Sequence, residues 1–179
     1  MPDLSPVMQE TLERFKQELP ALTRGGSKEA PRPHKLVMLL SVLDLADAGE
    51  LSVNEIYYDD KLTSRFATNF KPFATQDDLC QPAPPFFHLR SSNFWFHKIK
   101  PGRERAYAEL TTSGGGSKRI LENIEYAYLR DDVFVLFNDD AAREEIRTYT
   151  YQLVKWPSMF RADATENLNP RDATGHSTT

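Results

Sequence analysis

Residues 34–48 limit the possible folds of this chain more than any other segment, because they are apolar on nearly every side. Gly49, directly behind them, is typical of the residue that ends a helix. A helix with apolar side chains all round is buried, either in a protein core or in a membrane. Asp44 and Asp47 interrupt the apolar run, so it does not suit a bilayer. The sequence therefore predicts a central helix around which the other elements pack.

Length and composition favour one domain. The chain has 179 residues, of which 40% are hydrophobic, enough for one proper core. Cys80 is the single cysteine, which excludes an internal disulfide and a cysteine-based zinc site. The first six residues lack the basic start and the apolar run of a signal peptide. We therefore expect a cytoplasmic protein without a membrane segment.

The periodicity of apolar residues predicts the remaining elements. Further helices are predicted at residues 5–20, 59–70, 131–137 and 140–154. Residues 52–56 are predicted to be extended, and residues 86–89 and 94–97 suggest an aromatic β-hairpin around a polar turn. The predicted fold class is therefore α+β: a helix-rich, winged-helix-like single domain with a small β-hairpin or sheet. This domain covers residues 1–157, and residues 158–179 are predicted to be a disordered tail or linker.

Two stretches are predicted to be irregular. Residues 72–85 form a long loop before the hairpin, and long ordered loops are more often functional than idle. Residues 111–119 combine three consecutive glycines with Ser117, Lys118 and Arg119, which predicts a flexible basic loop.

The charge is unevenly distributed along the chain. The formal net charge is −4, but residues 88–119 contain seven Lys or Arg against two Glu. Residues 122–145 contain eight acids against two Arg. A domain that is acidic overall can still present a basic face to nucleic acid. Ordinary solvated surface explains the same counts, so charge alone leaves both interpretations open.

The sequence carries no catalytic motif that we can identify. It contains no His-Glu-x-x-His, no glycine-rich phosphate loop of the Gly-Lys-Ser/Thr type and no nucleophile elbow. His88 and His97 lie on the two strands of the predicted hairpin, but no carboxylate or thiol is near them in sequence. The sequence therefore predicts a binding domain, with no enzymatic activity, no cofactor and no metal.

Two proline-containing segments stand out. Residues 32–35 lead into the central helix, and residues 84–90 open the predicted hairpin. Each combines rigid proline rings with cations or aromatic rings. His34 and Lys35 would lie at a helix N-terminus, where free N–H groups and the helix dipole favour an anion. Such a surface suits an anion that is also partly apolar, although a proline-started helix and ordinary core aromatics would give the same residues.

In order and spacing, these segments resemble the DNA sulfur-binding domain. This family recognises phosphorothioate-modified DNA and is often fused to HNH endonucleases in modification-dependent (type IV) restriction proteins. The matching residues are 32–45, Gly49, 84–90, 94–95, 125–134 and 142–147. The last two segments resemble the helical end of that domain, and the resemblance covers about residues 5–156.

The resemblance implies a site. In the family, the sulfur enters a shallow apolar cavity walled by a proline-containing segment, and basic residues around it hold the DNA backbone. Here Pro84 and Pro85 would form the wall, and the basic loop at 117–119 would read neighbouring bases. Family members tend to have an aromatic residue where this chain has Pro84. The implied DNA- and sulfur-binding residues are Arg32, His34, Lys35, Pro84, Pro85, Phe86, His88, Ser117, Lys118 and Arg119.

The expected partners are double-stranded DNA that carries phosphorothioate and an HNH nuclease domain, in cis or in trans. Two alternatives remain open. One is a winged-helix domain that binds unmodified duplex through residues 61–69, where Lys61 and Arg65 are the only cations. The other is a protein-interaction module whose prolines and aromatics dock a peptide.

Overall fold

The computed structural model describes residues 3–27, 30–76, 78–111 and 115–160. At its centre lies α2 (His34–Asp47), in which ten of fourteen residues are buried. Three other helices pack around it, namely α3 (Asp60–Phe70), α4 (Ala83–His88) and α8 (Asp140–Lys155). Gly49 follows α2 with φ of +71°, a left-handed conformation that glycine adopts without strain. The prediction of a central apolar helix ended by Gly49 is confirmed.

The other elements surround this centre. The remaining α-helices in the described part of the chain are α1 (Pro6–Glu18), α5 (Glu104–Ala108), α6 (Gly116–Asn123) and α7 (Asp131–Phe137). Short 3-10 turns lie at Lys71–Phe73, Leu89–Ser91 and Pro157–Phe160. The strands are β1 (Trp95–Ile99) and β2 (Ile124–Leu129). The predicted class, a helix-rich α+β domain with a small sheet, is confirmed.

Side-chain caps explain why three helices begin where the sequence predicted. The hydroxyl of Ser5 accepts from the N–H of Met8, 3.3 Å away, and Pro6 occupies the first turn of α1. Asp59 caps α3, and Asp139 caps α8, in the same way. Each cap satisfies an N–H that has no partner inside its helix.

The predicted hairpin at residues 86–97 is wrong. Residues 83–88 form α4 instead, with Pro84 and Pro85 in its first turn, where a missing N–H costs nothing. Only residues 95–99 form a strand, and β1 pairs antiparallel with β2, with Trp95 opposite Leu129. A run of aromatic residues is compatible with a strand or with a short buried helix. In the structure this segment packs against α2 as a helix.

Other expectations need correction as well. Residues 124–129, which the resemblance assigned to a helical end, form β2, whereas α7 has the predicted bounds. The loop predicted at 72–85 is shorter, because it is bounded by a 3-10 turn and by α4. Within residues 52–56, only Ile56 forms a β-bridge, to Ala127. The basic residues 117–119 lie in the first turns of α6 rather than in a loop, and residues 112–114 lie outside the described residues.

The predicted tail is described only at its beginning. Residues 157–160 form a 3-10 turn, and the Phe160 ring packs edge-on against Tyr149 at 5.1 Å. Residues 161–179 lie outside the described residues. Among the helices that the structure does describe, none combines the length and the apolar character that crossing a membrane requires.

Candidate nucleic-acid interface

Helix α4 turns one side of its proline pair towards the core. Pro85, Phe86 and Phe87 are buried, while Pro84 is half-buried and reaches the surface. The Phe86 ring lies edge-on to Trp95 of β1, with 5.7 Å between ring centroids. The inner face of the sheet therefore holds α4 in place. Of the two prolines predicted to form a wall, Pro84 is the more accessible, and Pro85 anchors the turn.

His97 lies beneath α4 as a structural residue. Its ring stacks on Phe86 at 5.6 Å, and its Nδ1 lies 2.8 Å from the hydroxyl of Tyr107. We assign the proton to Nε2, which then donates to the Phe86 carbonyl at 3.0 Å, while Nδ1 accepts from Tyr107. Burial lowers the pKa of His97 to about 4, and the positive charge of Arg90 acts in the same direction. The imidazole is therefore neutral near pH 7.

The residues predicted to bind DNA at the start of α2 are engaged with the chain itself. His34 Nε2 lies 2.8 Å from the carbonyl oxygen of Leu79, just ahead of α4. Lys35 Nζ donates to the Thr23 carbonyl at 2.6 Å and to the Ser91 hydroxyl at 3.2 Å. Burial lowers the pKa of Lys35. These two side chains tie the segments on either side of α4 to α2.

His88 and Arg32 complete this side of the candidate site. His88 is the last residue of α4 and is half-buried, and its carbonyl accepts from Ser91 Oγ at 3.0 Å. Arg32 is exposed, and its backbone N–H donates to the Gly25 carbonyl at 2.7 Å. The Arg32 side chain lies so close to Gly25 that a Cβ there would meet its Cδ at 3.2 Å.

Helix α6 packs against α4 and presents basic side chains. It begins after Gly115, whose φ is +77° and where a Cβ would lie 2.5 Å from Arg119 Cγ. Only glycine fits there, so α6 starts without a side-chain cap. Lys118 and Arg119 are exposed, and neither forms an ion pair with any residue that the structure describes.

Tyr58 joins α4 to α6. Its ring lies edge-on to Phe86 at 5.1 Å, and its hydroxyl is 2.7 Å from the hydroxyl of Ser117. The structure thus brings three of the predicted segments together around α4: the start of α2, the proline turn and the basic turn of α6. Segments more than eighty residues apart in sequence meet there, and no local pattern predicts such an arrangement.

Two residues of this interface were missing from the prediction. Tyr58 is one, and only its tertiary contacts identify it. Arg90 is the other: it is exposed, and its guanidinium carbon lies 4.0 Å above the Phe87 ring and 5.3 Å from the centroid of Tyr107. Its position just after the aromatic pair, two residues beyond His88, was a signal that the sequence offered.

The basic segment, defined as residues 90–119, is largely free of carboxylate partners. Arg105 pairs with Glu109 at 3.6 Å. Within the described ranges, six further cations form no ion pair: Arg90, Lys98, Lys100, Arg103, Lys118 and Arg119. By contrast, Lys61 and Arg65 both pair with Glu50. They are the two cations of α3, the helix that would contact DNA in the alternative winged-helix interpretation. Three of the six unpaired cations, Arg90, Lys118 and Arg119, lie directly after α4 or on α6, so the charge distribution favours that surface over α3 as a contact for an anion.

One cavity lies next to the proline turn rather than at it. This cavity of about 150 Å³ is lined by residues that include Glu18, Thr23, Ser91 and Asn93, on the Lys35 side of α4, and it does not include Pro84 or Pro85. Among the described residues, no three His, Cys, Asp or Glu side chains are grouped as metal ligands. The half-buried ring of Pro84 thus offers an accessible apolar surface outside this cavity.

Comparison with known proteins assigns no family, because neither a protein-family model nor a curated protein matches the chain. A functional interpretation therefore rests on the geometry and the chemistry of the side chains described above.

Proposed function

We propose that this domain binds double-stranded DNA that carries a phosphorothioate linkage, and that the exposed part of Pro84 receives the sulfur. One observation carries the proposal: an accessible proline ring lies on a helix that touches the basic turn of α6 through Tyr58. An apolar patch next to unpaired cations suits an anion with one apolar atom.

The chemistry of the linkage explains how the patch would discriminate. Sulfur is larger and more polarizable than the oxygen it replaces, and it is a poorer hydrogen-bond acceptor. Proline has no N–H, so residues 84 and 85 offer a phosphate oxygen no backbone donor. An oxygen pressed against them would lose water without compensation, at a cost of roughly 1–3 kcal/mol. That cost corresponds to about ten- to hundredfold preference for sulfur.

The exposed cations would supply the affinity common to both kinds of DNA. Arg90, Lys118 and Arg119 are free to contact phosphates, and such contacts weaken as salt rises. Lys118 or Arg119 would also reach base edges and set a sequence preference. His34 and Lys35, whose side chains hold Leu79 and Ser91, would act by positioning the segments around α4.

Equilibrium binding to matched duplexes tests the proposal. One duplex is prepared in three forms, without sulfur and with a single sulfur of either stereochemistry, and fluorescence anisotropy is measured with the full chain. We expect one stereoisomer to bind about ten- to hundredfold more tightly than the unmodified duplex. Equal affinity for all three forms would refute the sulfur patch while leaving general DNA binding in place.

The proposal makes the domain the recognition module of a modification-dependent restriction system. Cleavage would then come from an HNH nuclease domain in cis or in trans, as the resemblance implies. Incubation of modified duplex with this chain and Mg²⁺ should leave the DNA intact, as judged by denaturing gel electrophoresis. Specific cleavage next to the modification would show that this chain carries its own nuclease activity.

A further inference from the structure

The outer face of the sheet carries a row of aromatic rings that the proposed DNA interface does not use. Neighbouring ring centroids are 5.5, 6.3 and 5.6 Å apart along this row. Phe96 is 38% exposed, Tyr57 is 44% exposed, and the two rings between them are half-buried. We call these residues the aromatic strip: Phe96, Tyr128, Tyr126 and Tyr57.

The strip and α4 lie on opposite faces of the sheet. Side chains alternate along β1, so Trp95 and His97 point towards Phe86 of α4, and Phe96 points away. Phe96 and Tyr128 are directly opposite each other in the register. The outer face of an antiparallel sheet usually carries polar side chains, and a continuous row of partly exposed rings there indicates an interaction site.

The free hydroxyl groups indicate a ligand whose backbone carbonyl groups are unpaired. A polyproline II helix has no internal hydrogen bonds, so its carbonyl groups are open to donors along its whole length. The hydroxyls of Tyr126 and Tyr128 have no hydrogen-bond partner among the described residues. They can donate to the unpaired carbonyl groups of such a helix, and proline rings pack well on aromatic rings.

The charges near the strip favour a basic ligand. The Tyr57 hydroxyl donates to the Glu55 carboxylate, and Glu125 lies close enough to act on Tyr57 as well. The hydrogen bond to Glu55 is the largest cause of a rise in the pKa of Tyr57 to about 12, and desolvation and the negative charges of Glu55 and Glu125 act in the same direction. Lys98, opposite Tyr126, is the one cation paired with the strip in the register. The net negative charge disfavours single-stranded nucleic acid, which would otherwise stack on the same rings.

We propose that the aromatic strip docks a proline-rich segment of a partner protein, with Arg or Lys next to the prolines to pair with Glu55 and Glu125. This inference goes beyond the proposed DNA binding, because it concerns the opposite face of the sheet. The two surfaces can therefore be tested separately in the same protein.

The test uses a fluorescent peptide of nine prolines flanked by two arginines at each end, titrated with the full chain. We expect saturable binding that weakens at least about fivefold in Phe96→Thr and in Tyr126→Thr, because truncated aromatic anchors commonly cost that much. Threonine preserves the preference for a strand. Tyr151→Ala, which removes an exposed ring from α8, serves as the matched control and should bind the peptide as the parent does.

Two further comparisons decide between occupants. Glu125→Gln should weaken binding of the arginine-flanked peptide and leave a glutamine-flanked peptide unchanged. Tyr126→Phe keeps the ring and removes one donor, and it should weaken both peptides modestly even if the threonine variants fail to fold. The absence of saturable peptide binding overturns the inference, as does binding that none of these variants alters. Binding of oligo-dT that Phe96→Thr abolishes would assign the strip to single-stranded nucleic acid instead.

Discussion

The cations of this domain fall into two regions that behave in opposite ways. Where α1, α2, α7 and α8 meet, arginines are held both by a carboxylate nearby in sequence and by one from another helix. Arg130 contacts Glu18 at 2.9 Å and Asp132 at 2.6 Å, and Arg143 contacts both Asp47 and Asp140. In the basic segment, most cations have no carboxylate partner within the described ranges. One region uses its charges to join helices, and the other leaves most of its positive charges without a neutralising carboxylate.

The difference shows why a net charge of −4 says little about an anionic ligand. Paired charges largely cancel each other's field, whereas unpaired ones act on whatever approaches. A ligand near α6 therefore meets a positive surface on a domain that is acidic overall. Four predictions test this contrast, beginning with the largest expected effect.

The free energy of unfolding should depend on pH differently for the two regions. His97 represents the core beneath the basic segment, and the ion pair of Arg130 with Asp132 represents the paired region. Because the pKa of His97 is about 4 in the folded state and about 6.5 in the unfolded chain, unfolding binds a proton below pH 6.5. The free energy of unfolding should keep the full contribution of His97 above pH 6.5. It should fall by about 3 kcal/mol as the pH drops to 4, the pKa of His97 in the folded state. Urea unfolding at a series of pH values measures this, and His97→Gln should lose most of the dependence between pH 6.5 and 4.

The acidic region should respond at lower pH. The carboxylate of Asp132 is desolvated, but its hydrogen bond and charge interaction with Arg130 outweigh this and hold its pKa below the usual value. The contribution of Asp132 to the free energy of unfolding therefore persists as the pH falls through 6.5. It is lost only at more acidic pH, where the carboxylate becomes protonated in the folded state. Identical pH profiles for the parent and His97→Gln would contradict this division.

Removal of a paired arginine should damage the fold without affecting DNA binding directly. Arg143 is buried and also donates to the Phe137 carbonyl at 2.8 Å, so Arg143→Ala removes the donor of this carbonyl as well as the ion pairs with Asp47 and Asp140. We expect a loss of about 2–3 kcal/mol in the free energy of unfolding. Arg119→Ala is the control from the basic segment and should change stability by less than about 0.5 kcal/mol. Similar losses in the two variants would remove the contrast between the regions.

A proline substitution tests the apolar patch next to the unpaired cations. Alanine is compatible with the first turn of α4, so Pro84→Ala restores one N–H donor and removes part of the ring surface. The preference for phosphorothioate over unmodified duplex should fall by up to about tenfold. The unmodified duplex should bind more tightly, because the new N–H can donate to its phosphate oxygen, and the phosphorothioate duplex should bind more weakly. Competition anisotropy with both duplexes measures the ratio. An unchanged ratio would place the sulfur elsewhere.

The smallest effect concerns single phosphate contacts. Lys118→Ala should weaken both duplexes by a similar factor of a few and reduce the slope of log K against log salt by about one. Lys61→Ala is the matched control, because Lys61 is exposed but lies 4.0 Å from Glu50. A salt slope that changes equally in both variants would show that pairing does not determine which cations meet DNA.

Local chemistry was enough to predict five of the described helices, α1, α2, α3, α7 and α8, but not α4, α5 or α6. The apolar period indicated where these helices begin, and in the structure the side chains of Ser5, Asp59 and Asp139 cap three of them. The sheet could not be predicted from local chemistry. Strand β2 is assigned through pairing with β1, some thirty residues away, and through the Ile56 bridge, so its sequence alone did not distinguish it from a helix.

The same distinction between local and tertiary information applies to the candidate site. The sequence alone determined its chemistry, namely adjacent prolines, a cluster of cations and the residue types around them, because these belong to consecutive residues. The tertiary structure alone decided that Pro85 turns inward, that Lys35 is engaged by Thr23 and Ser91, and that Tyr58 joins α4 to α6. Burial and hydrogen bonding depend on what the rest of the chain places nearby, and that is a property of packing rather than of any local pattern.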